Sequence, residues 1–281
     1  MTALLASQRQ STIIEKLRAT GAVRVSELTD QFAVSEMTIR RDLDQVAARG
    51  LCRKVHGGAC LVASTSEEPG FAVKSGANLA AKQAIGRAAA ALIRPGQAVG
   101  ISGGTTTYWV AAELALRPDA NQITVVTNSL PAAEALERTA PAALPARQHA
   151  STRALSQDAD QAGPQVILTG GVRTPSQALV GPVADLSLSG LRLDWLFLGV
   201  HGLDPKAGLT TPNLAEAATN RALMAAAAAT VVTADASKWD TTALAQIAPL
   251  ASIAHLVTDS APGPTAARAI RRHSIDLTIA S

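Results

Sequence analysis

Five apolar segments of this 281-residue sequence are each followed by glycine, hydroxyl-bearing, amide or basic residues. In open α/β sheets, ligands bind beyond the carboxyl ends of the strands. The first loop joins two glycines to three threonines, a composition that leaves backbone N–H groups free to bind an anion where a helix starts. The loops supply these candidate ligand-binding residues: Ser102, Gly103, Gly104, Thr105, Thr106, Thr127, Asn128, Ser129, Gly170, Gly171, Arg173, Gly199, Gly202 and Lys238. Each loop alone also fits an ordinary strand-to-helix turn, so the prediction rests on their convergence at one edge.

The absence of two nucleotide-binding motifs narrows the class of anion. The chain has neither G-x-G-x-x-G nor G-x-x-x-x-G-K-[ST], so a dinucleotide or a P-loop nucleotide is not favoured. A phosphate on a small polyol or sugar fits better. Cys52 and Cys60 are too few for a four-ligand zinc site, and the histidines lack metal-like spacing. No metal or cofactor is expected.

The candidate residues need a parallel sheet to bring them together. Short apolar segments predict strands at 98–101, 123–126, 166–168, 195–198, 231–233, 255–258 and 277–279. Helical patterns lie between several of them, at 79–93, 108–116, 131–138 and 215–228, and an Ala-rich run at 224–229 is expected to be helical. Apolar strands separated by helices predict an α/β fold with a largely parallel sheet, covered on both faces. Residues 140–165 break the pattern and are expected to form a flexible insertion.

The positive charge of the chain is concentrated near its N-terminus. Residues 1–62 contain nine Lys and Arg against six Asp and Glu, which accounts for the whole net charge of +3. This asymmetry is typical of a small module that faces phosphates, joined to a larger neutral module. No apolar stretch reaches the ~20 residues of a membrane span, and Arg9 interrupts the N-terminus before any signal-peptide pattern. We expect a soluble, cytoplasmic protein.

The basic N-terminal segment has the pattern of a helix-turn-helix. Apolar spacing predicts a helix over 7–20 and a short second helix with Ser26 as its N-cap. Ser35 is predicted to cap a third helix, in which Ile39, Leu43 and Val46 form the buried face. The opposite face is polar and carries two arginines, as in helices that enter the major groove of DNA.

A short basic hairpin with glycines at its end follows the third helix. It is predicted to form a wing whose basic side chains contact the sugar-phosphate backbone, while the third helix contacts base edges. A solvated three-helix domain with surface arginines would explain the arginine pair alone, but not the cap, turn and wing in this order. The predicted DNA-binding residues are Ser35, Glu36, Thr38, Arg40, Arg41, Arg53, Lys54 and His56.

Two runs, 34–43 and 53–59, resemble the signature of the DeoR family of bacterial transcriptional repressors. The resemblance covers essentially all of residues 5–60 and implies a winged helix-turn-helix. Asp42 matches the family as well. Because a carboxylate would repel phosphate, we expect Asp42 to orient Arg40 or Arg41.

Residues of about 74–260 resemble the sensor domain of the same family, through segments that include Gly104-Thr105-Thr106 and 235–238. That domain is similar in fold to ribose-5-phosphate isomerase and glucosamine-6-phosphate isomerase, which implies a phosphorylated sugar or its breakdown product as effector. The resemblance adds Glu216 to the candidate effector-binding residues. Two positions depart from the family: Ser102 stands where the family usually has Asp, and Asn220, with Arg221 beside it, stands where the family often has Lys. Isomerisation needs a carboxylate base and a cation, so the departures argue against catalysis.

The sequence therefore predicts a winged helix-turn-helix at 1–60, a linker at 61–73, and an α/β sensor and oligomerisation domain at 74–281. The predicted function is a non-enzymatic repressor of carbohydrate catabolism genes that binds double-stranded operator DNA as a homodimer or homotetramer, modulated by a sugar phosphate. One alternative is a sugar-phosphate isomerase with a nucleic-acid-binding appendage, which a turnover assay would detect. The other is an architectural or RNA-binding protein, for which binding would fall with salt equally for all sequences.

Overall fold

The computed structural model describes residues 5–20, 22–55, 57–61, 70–137 and 163–281. The chain divides into an N-terminal unit, Met1–Ala77, and a C-terminal unit, Asn78–Ser281. None of the helices within the described ranges is both long and apolar enough to span a membrane. In the same part of the chain, no three His, Cys, Asp or Glu side chains are grouped so as to hold a metal ion.

The N-terminal unit combines helices with a small antiparallel sheet. Its elements are α1 (Ala6–Thr20), β1 (Ala22–Arg24), α2 (Val25–Phe32), α3 (Glu36–Ala48), β2 (Cys52–Val55), β3 (Gly58–Leu61) and α4 (Phe71–Gly76). The sheet has the order β1-β3-β2. Ile13 and Leu17 of α1 pack with Leu28 of α2 and with Ile39 and Leu43 of α3 in one buried cluster. The structure therefore confirms the predicted helix-turn-helix, followed by a hairpin.

The second helix begins earlier than predicted. β1 runs directly into α2 at Val25, so the N-cap position is Arg24, which makes no side-chain capping bond. The N–H of Val25 donates instead to the carbonyl of Gly57 at the tip of the hairpin (2.8 Å). Ser26, the predicted N-cap, therefore lies inside the first turn, because a strand that was not predicted fixes the start of the helix.

The C-terminal unit is built on a seven-stranded parallel sheet with the order β15-β14-β12-β9-β4-β5-β6. Its helices are α5 (Leu79–Ala90), α6 (Thr105–Ala115), α7 (Leu130–Glu137), α8 (Pro182–Leu188), α9 (Leu214–Ala226) and α10 (Pro264–Arg272). The strands of the sheet are β4 (Ala98–Ile101), β5 (Thr124–Thr127), β6 (Gln165–Leu168), β9 (Leu193–Gly199), β12 (Ala227–Thr233), β14 (His255–Thr258) and β15 (Asp276–Ile279). The shorter strands are β7 (Val172–Arg173), β8 (Leu179–Val180), β10 (Gly202–Asp204), β11 (Gly208–Thr211) and β13 (Ala245–Ala248). All seven predicted strands belong to the parallel sheet.

Both faces of this sheet are covered, as predicted. Phe197 of β9 packs in a cluster with residues of α5, α6 and α7. Its neighbours Leu196 and Leu198 pack in a second cluster with α9 and α10. Successive residues of a strand point to opposite faces, which explains why apolar runs without alternation form these strands.

Two smaller sheets were not predicted. β10, β11 and β13 form an antiparallel sheet, and β7 pairs with β8. The Ala-rich run was also wrongly assigned to a helix at its end, since α9 stops at Ala226 and Ala227 already pairs with Leu193 of β9. An alanine run has no apolar periodicity to mark where a helix gives way to a strand.

The predicted linker and insertion differ from the structure at their ends. Leu61 closes β3, and 71–73 lie in α4, so the predicted linker of 61–73 overlaps two elements. The two units meet between Ala77 and Asn78 rather than at residue 74. Within the predicted insertion at 140–165, Gln165 begins β6, and residues 140–162 lie outside the described residues.

His255 is expected to make the stability of the C-terminal unit depend on pH. Burial lowers the pKa of His255 from its ordinary value of 6.5, although the nearby Asp276 opposes the shift. The ring Nε2 lies 2.9 Å from the Thr278 hydroxyl of edge strand β15. Because the unfolded chain takes up the proton more readily, stability is expected to fall as the pH drops below 6.5. Denaturant unfolding between pH 5 and 8 measures this, and His255→Gln should flatten the dependence; an unchanged slope would contradict it.

Candidate functional site

The exposed face of α3 is held in place by a defined N-terminus. The N–H of Thr38 donates to Ser35 Oγ (3.3 Å), and the two hydroxyl oxygens lie 2.9 Å apart. Ser35 is therefore the N-cap of α3, as predicted. Glu36, Arg40 and Arg41 are exposed on this helix.

The acid at position 42 has a different role from the one expected. Asp42 is buried with 3% of its surface exposed. It accepts hydrogen bonds from Arg9 Nε (2.5 Å) and Gln10 Nε2 (3.1 Å), both of α1. The prediction that Asp42 orients Arg40 or Arg41 is wrong, because Asp42 lies on the inner face of α3, opposite the arginines. It fixes α3 to α1.

The two arginines of α3 differ in their surroundings. Arg40 forms an exposed ion pair with Glu36 one turn before it (3.1 Å). Arg41 is exposed and pairs with no residue that the structure describes. Arg41 is therefore the side chain of α3 that is available to a phosphate or a base edge without breaking an existing contact.

The predicted wing is the hairpin β2–β3. Gly57 at its tip has a left-handed backbone with φ of 79°, which favours glycine. Lys54 is exposed on β2 and forms an ion pair with Asp44 of α3. The Arg53 side chain and His56 lie outside the described residues.

The first turn of α6 lies at the carboxyl end of β4, as expected for an anion site. Its N-cap residue, Gly104, offers no side-chain capping bond. Thr105 and Thr106 are buried with 8% and 6% of their surface exposed. Their hydroxyls form no hydrogen bond with any described residue, whereas Thr107 Oγ1 donates to the carbonyl of Ser102 (2.7 Å). The first two threonines and the uncapped N–H groups can therefore bind an anion together.

Several other predicted residues at this edge use their polar groups within the fold. Asn128 Oδ1 accepts from the N–H of Gly103 (2.8 Å), and its Nδ2 donates to the carbonyl of Leu179 (3.0 Å). Ser102 Oγ accepts from the N–H of Gly199 (2.9 Å). Thr127 Oγ1 donates to the carbonyl of Ile101 (2.6 Å), and Ser129 Oγ accepts from the N–H of Ala132 (3.3 Å). These contacts position the loop before α6.

Close packing explains three of the glycines among the predicted residues, and a left-handed backbone explains a fourth. A Cβ on Gly103 would lie 2.5 Å from Cβ of Ala178, and one on Gly171 would lie 2.7 Å from the carbonyl oxygen of Val180. Gly202 is similarly confined, at 2.1 Å from the carbonyl oxygen of Thr241. Gly170 has φ of 72°, and its Cβ would meet Val183 at ordinary contact distance.

The predicted charged residues fall into three surroundings. Arg173 is exposed on β7, and Lys238 is half-buried with no ion pair to a described residue. Glu216 accepts hydrogen bonds from Thr174 Oγ1 (3.0 Å), from Ser176 Oγ, and from Thr211 Oγ1 (3.1 Å). Glu216 therefore ties the β7–β8 hairpin to α9 and β11.

Comparison with known proteins identifies both units. A model described as the DeoR-like helix-turn-helix domain matches residues 9–65, and one described as the DeoR C terminal sensor domain matches 77–144 and 150–260. The chain belongs to the DeoR family. It is a DNA-binding transcriptional regulator with a sensor domain for a small-molecule effector, and this family consists of regulators rather than enzymes.

Relatives of this DeoR-family regulator align over almost its whole length. It is 30% identical to a putative aga operon transcriptional repressor from Escherichia coli, covering 97% of this chain and 93% of that protein. It is 34% identical to the HTH-type transcriptional regulator GlpR from Haloferax volcanii, covering 91% of each. Among solved structures, ribose 5-phosphate isomerase A from Methanocaldococcus jannaschii matches 58% of this chain and 55% of that chain, with 14% identity and a TM-score of 0.38.

Four buried polar residues of the C-terminal unit of this DeoR-family regulator were not singled out from the sequence. Thr174, Ser176 and Thr211 surround Glu216, and Lys82 of α5 is buried with 3% of its surface exposed. No local pattern marks them, because long-range packing brings the three hydroxyls together and Lys82 lies on an otherwise ordinary helix.

Asn220, which departs from the family pattern, and its neighbour Arg221 have different surroundings. Asn220 is buried with 7% of its surface exposed, one turn after Glu216, and its side chain has no partner among described residues. Arg221 Nη1 donates to the carbonyl of Gln246 on β13 (2.7 Å). Arg221 therefore anchors β13 and does not replace the Lys expected at position 220.

Proposed function

We propose that this DeoR-family regulator represses carbohydrate genes in the cytoplasm and that a phosphorylated sugar bound in the C-terminal unit changes its affinity for operator DNA. The observation that carries the proposal is the uncapped first turn of α6, where the hydroxyls of Thr105 and Thr106 have no partner in the part of the chain that the structure describes. An anion at this position accepts two hydroxyl bonds and the backbone N–H groups of the turn, and the helix dipole stabilises its charge.

The polyol part of the effector is proposed to lie towards side chains that the fold does not use. Asn220 is buried and its side chain has no partner within the described ranges, and the half-buried Lys238 supplies a cation. Glu216 is proposed to hold the surrounding hairpin, since three hydroxyls already bond to its carboxylate. Ser102, Asn128 and the other inward-facing residues keep the α6 loop in position.

DNA recognition is proposed to use Ser35, Glu36, Thr38, Arg40 and Arg41 of the α3 region with Arg53, Lys54 and His56 of the wing. Arg41 and the wing cations contribute phosphate contacts, and the first turns of α3 face base edges. Helix-turn-helix proteins bind two half-sites through a two-fold dimer. We therefore propose at least a homodimer, with the double-stranded operator as partner.

The effector site is tested by a double substitution. In Thr105→Val/Thr106→Val, binding of a sugar phosphate is expected to weaken by about 10–100-fold, because two hydrogen bonds to a charged group are lost. Calorimetric titration of the full chain measures this with glycerol 3-phosphate, fructose 1-phosphate, fructose 6-phosphate and glucosamine 6-phosphate, each against its unphosphorylated parent.

Thr124→Val is the matched control, since Thr124 lies at the opposite end of β5 and its hydroxyl donates to Gln165 Oε1 (3.4 Å), away from α6. It should bind as the wild type does. Equal affinity of the double variant and the control for the phosphorylated compound would overturn the assignment of the site, and wild-type binding of the unphosphorylated parents would overturn the phosphate.

A further inference from the structure

Asn78, at the start of the C-terminal unit, forms hydrogen bonds with a turn that is distant from it in the sequence. It is the first residue of that unit and the N-cap residue of α5. Its Nδ2 donates to Asp235 Oδ1 (3.0 Å) and lies 3.3 Å from Ser237 Oγ. Asp235 and Ser237 belong to the turn that follows β12 and contains Lys238. A contact across 157 residues thus joins the junction of the two units to a predicted effector loop.

The backbone of Asn78 depends on support from outside its own helix. Its φ of 53° and ψ of 39° lie in the left-handed region, which is uncommon for residues other than glycine, although asparagine adopts it more readily than most. The side-chain bonds to Asp235 and Ser237 hold this conformation. When they are released, Asn78 gains access to the ordinary extended and right-handed conformations, which send the preceding residue, Ala77, in another direction.

The Asp235 carboxylate can accept a further hydrogen bond from a new donor. It is buried with 1% of its surface exposed. Its Oδ1 accepts from Asn78, from the N–H of Ser237 (3.1 Å) and from the Ser237 hydroxyl (2.5 Å). Its Oδ2 is buried and has no partner among the described residues. A buried carboxylate oxygen without a donor is unfavourable, so a donor that arrives in this turn redistributes the bonds that now hold Asn78.

We propose that Asn78 and Asp235 are positioning residues that transmit effector binding to the junction between the two units. The inference rests on the proposed function, because it takes the turn with Lys238 as part of the effector site. A ligand that engages this turn alters the bonds of Asp235. Asn78 then changes the course of the chain at the residue where the C-terminal unit is covalently joined to the DNA-binding unit.

The mechanical part of this link is tested without ligand by hydrogen–deuterium exchange of the full chain. Asn78→Gly keeps the left-handed backbone accessible and removes only the amide. It is expected to speed exchange of peptide 235–239 by about 3–10-fold, since two of its bonds are lost. Asp235→Ala should in turn speed exchange of the Lys82 amide, which donates to the carbonyl of Asn78 (3.0 Å).

Asp259→Ala is the matched control for the same turn. Asp259 Oδ1 accepts from the N–H of Ala236 (2.7 Å) and does not contact Asn78. It should speed exchange of peptide 235–239 and leave the Lys82 amide unchanged. If Asn78→Gly leaves exchange of peptide 235–239 at the wild-type rate, or if Asp259→Ala affects the Lys82 amide as much as Asp235→Ala does, the link is overturned.

The regulatory part is tested by operator titration with and without the member of the sugar-phosphate panel that binds the wild type. Allosteric effectors typically change affinity about 5–150-fold. The affinity of Asn78→Gly for that sugar phosphate should lie within about twofold of the wild-type affinity. In contrast, the ratio of its operator Kd with the sugar phosphate to its operator Kd without it should move towards one. Asp259→Ala should keep the wild-type ratio. A wild-type ratio in Asn78→Gly would overturn the proposal. Binding of no panel member by the wild type would overturn the proposed effector class, and the exchange experiment would still decide the link.

Discussion

Replacing Asp42 by alanine is expected to lower the free energy of unfolding of the N-terminal unit by about 3–5 kcal/mol, because it breaks the buried ion pair between Asp42 and Arg9. Arg9 and Asp42 are exposed by only 8% and 3%. Gln10 would lose a bond as well. Native-state hydrogen exchange of the α3 amides measures the loss in the full chain, and operator binding should fall with it.

Asp44→Ala is the matched control for Asp42→Ala. It removes a carboxylate from the same helix, but its ion pair with Lys54 is about half exposed. Exposed pairs contribute about 0–1 kcal/mol, so α3 should exchange at nearly the wild-type rate. Equal effects of the two substitutions would show that Asp42 does not fix α3 to α1.

The second large effect is expected for Arg41→Ala, which should weaken operator binding by about 10–100-fold, or about 1–3 kcal/mol. Arg41 is exposed on α3 and pairs with no described residue, so its removal should leave the stability of the unit unchanged. The salt dependence of the Kd separates its roles. A phosphate contact lowers the salt slope by about one and weakens all sequences alike, whereas a base contact relaxes sequence preference.

Arg49→Ala provides the comparison for Arg41→Ala. Arg49 is exposed at the C-cap of α3, so its removal changes the net charge equally at the other end of the helix. The operator affinity of Arg49→Ala should change less than threefold if Arg49 contributes only to the overall electrostatic field of the protein. Should both variants lose the same affinity, Arg41 would have no specific contact.

The large sheet was predictable because each of its strands is a short apolar run with polar residues after it. The strands at 98–101 and 255–258 have the predicted bounds. The end of α9 was predicted too late, since its alanines show no periodicity that separates a helix from a strand. β10 and β11 are short and contain Gly202, Asp204 and Thr210, so they lack an apolar signal. The pairing of β11 with β13 depends on contacts across more than thirty residues.

The candidate site was predictable in its location more than in its chemistry. Strand order brings Thr105, Thr106 and Asn128 to one edge, but the sequence does not say which side chains the fold itself uses. The side-chain amide of Asn128 forms hydrogen bonds with two backbone groups, whereas the hydroxyl of Thr105 forms none with the described residues. Likewise, Asp42 matches the signature without facing DNA, because the orientation of a residue on α3 follows from its packing on α1.

The most direct test is titration of the full chain with DNA from upstream of its own and adjacent genes, against unrelated DNA of equal length, with and without the sugar-phosphate panel. Specific regulators prefer their site by about 10³-fold or more. The proposal predicts such a preference, and a large loss of affinity with one phosphorylated sugar and none with its unphosphorylated parent. Equal, weak binding to all DNA, unchanged by every phosphate, would contradict it.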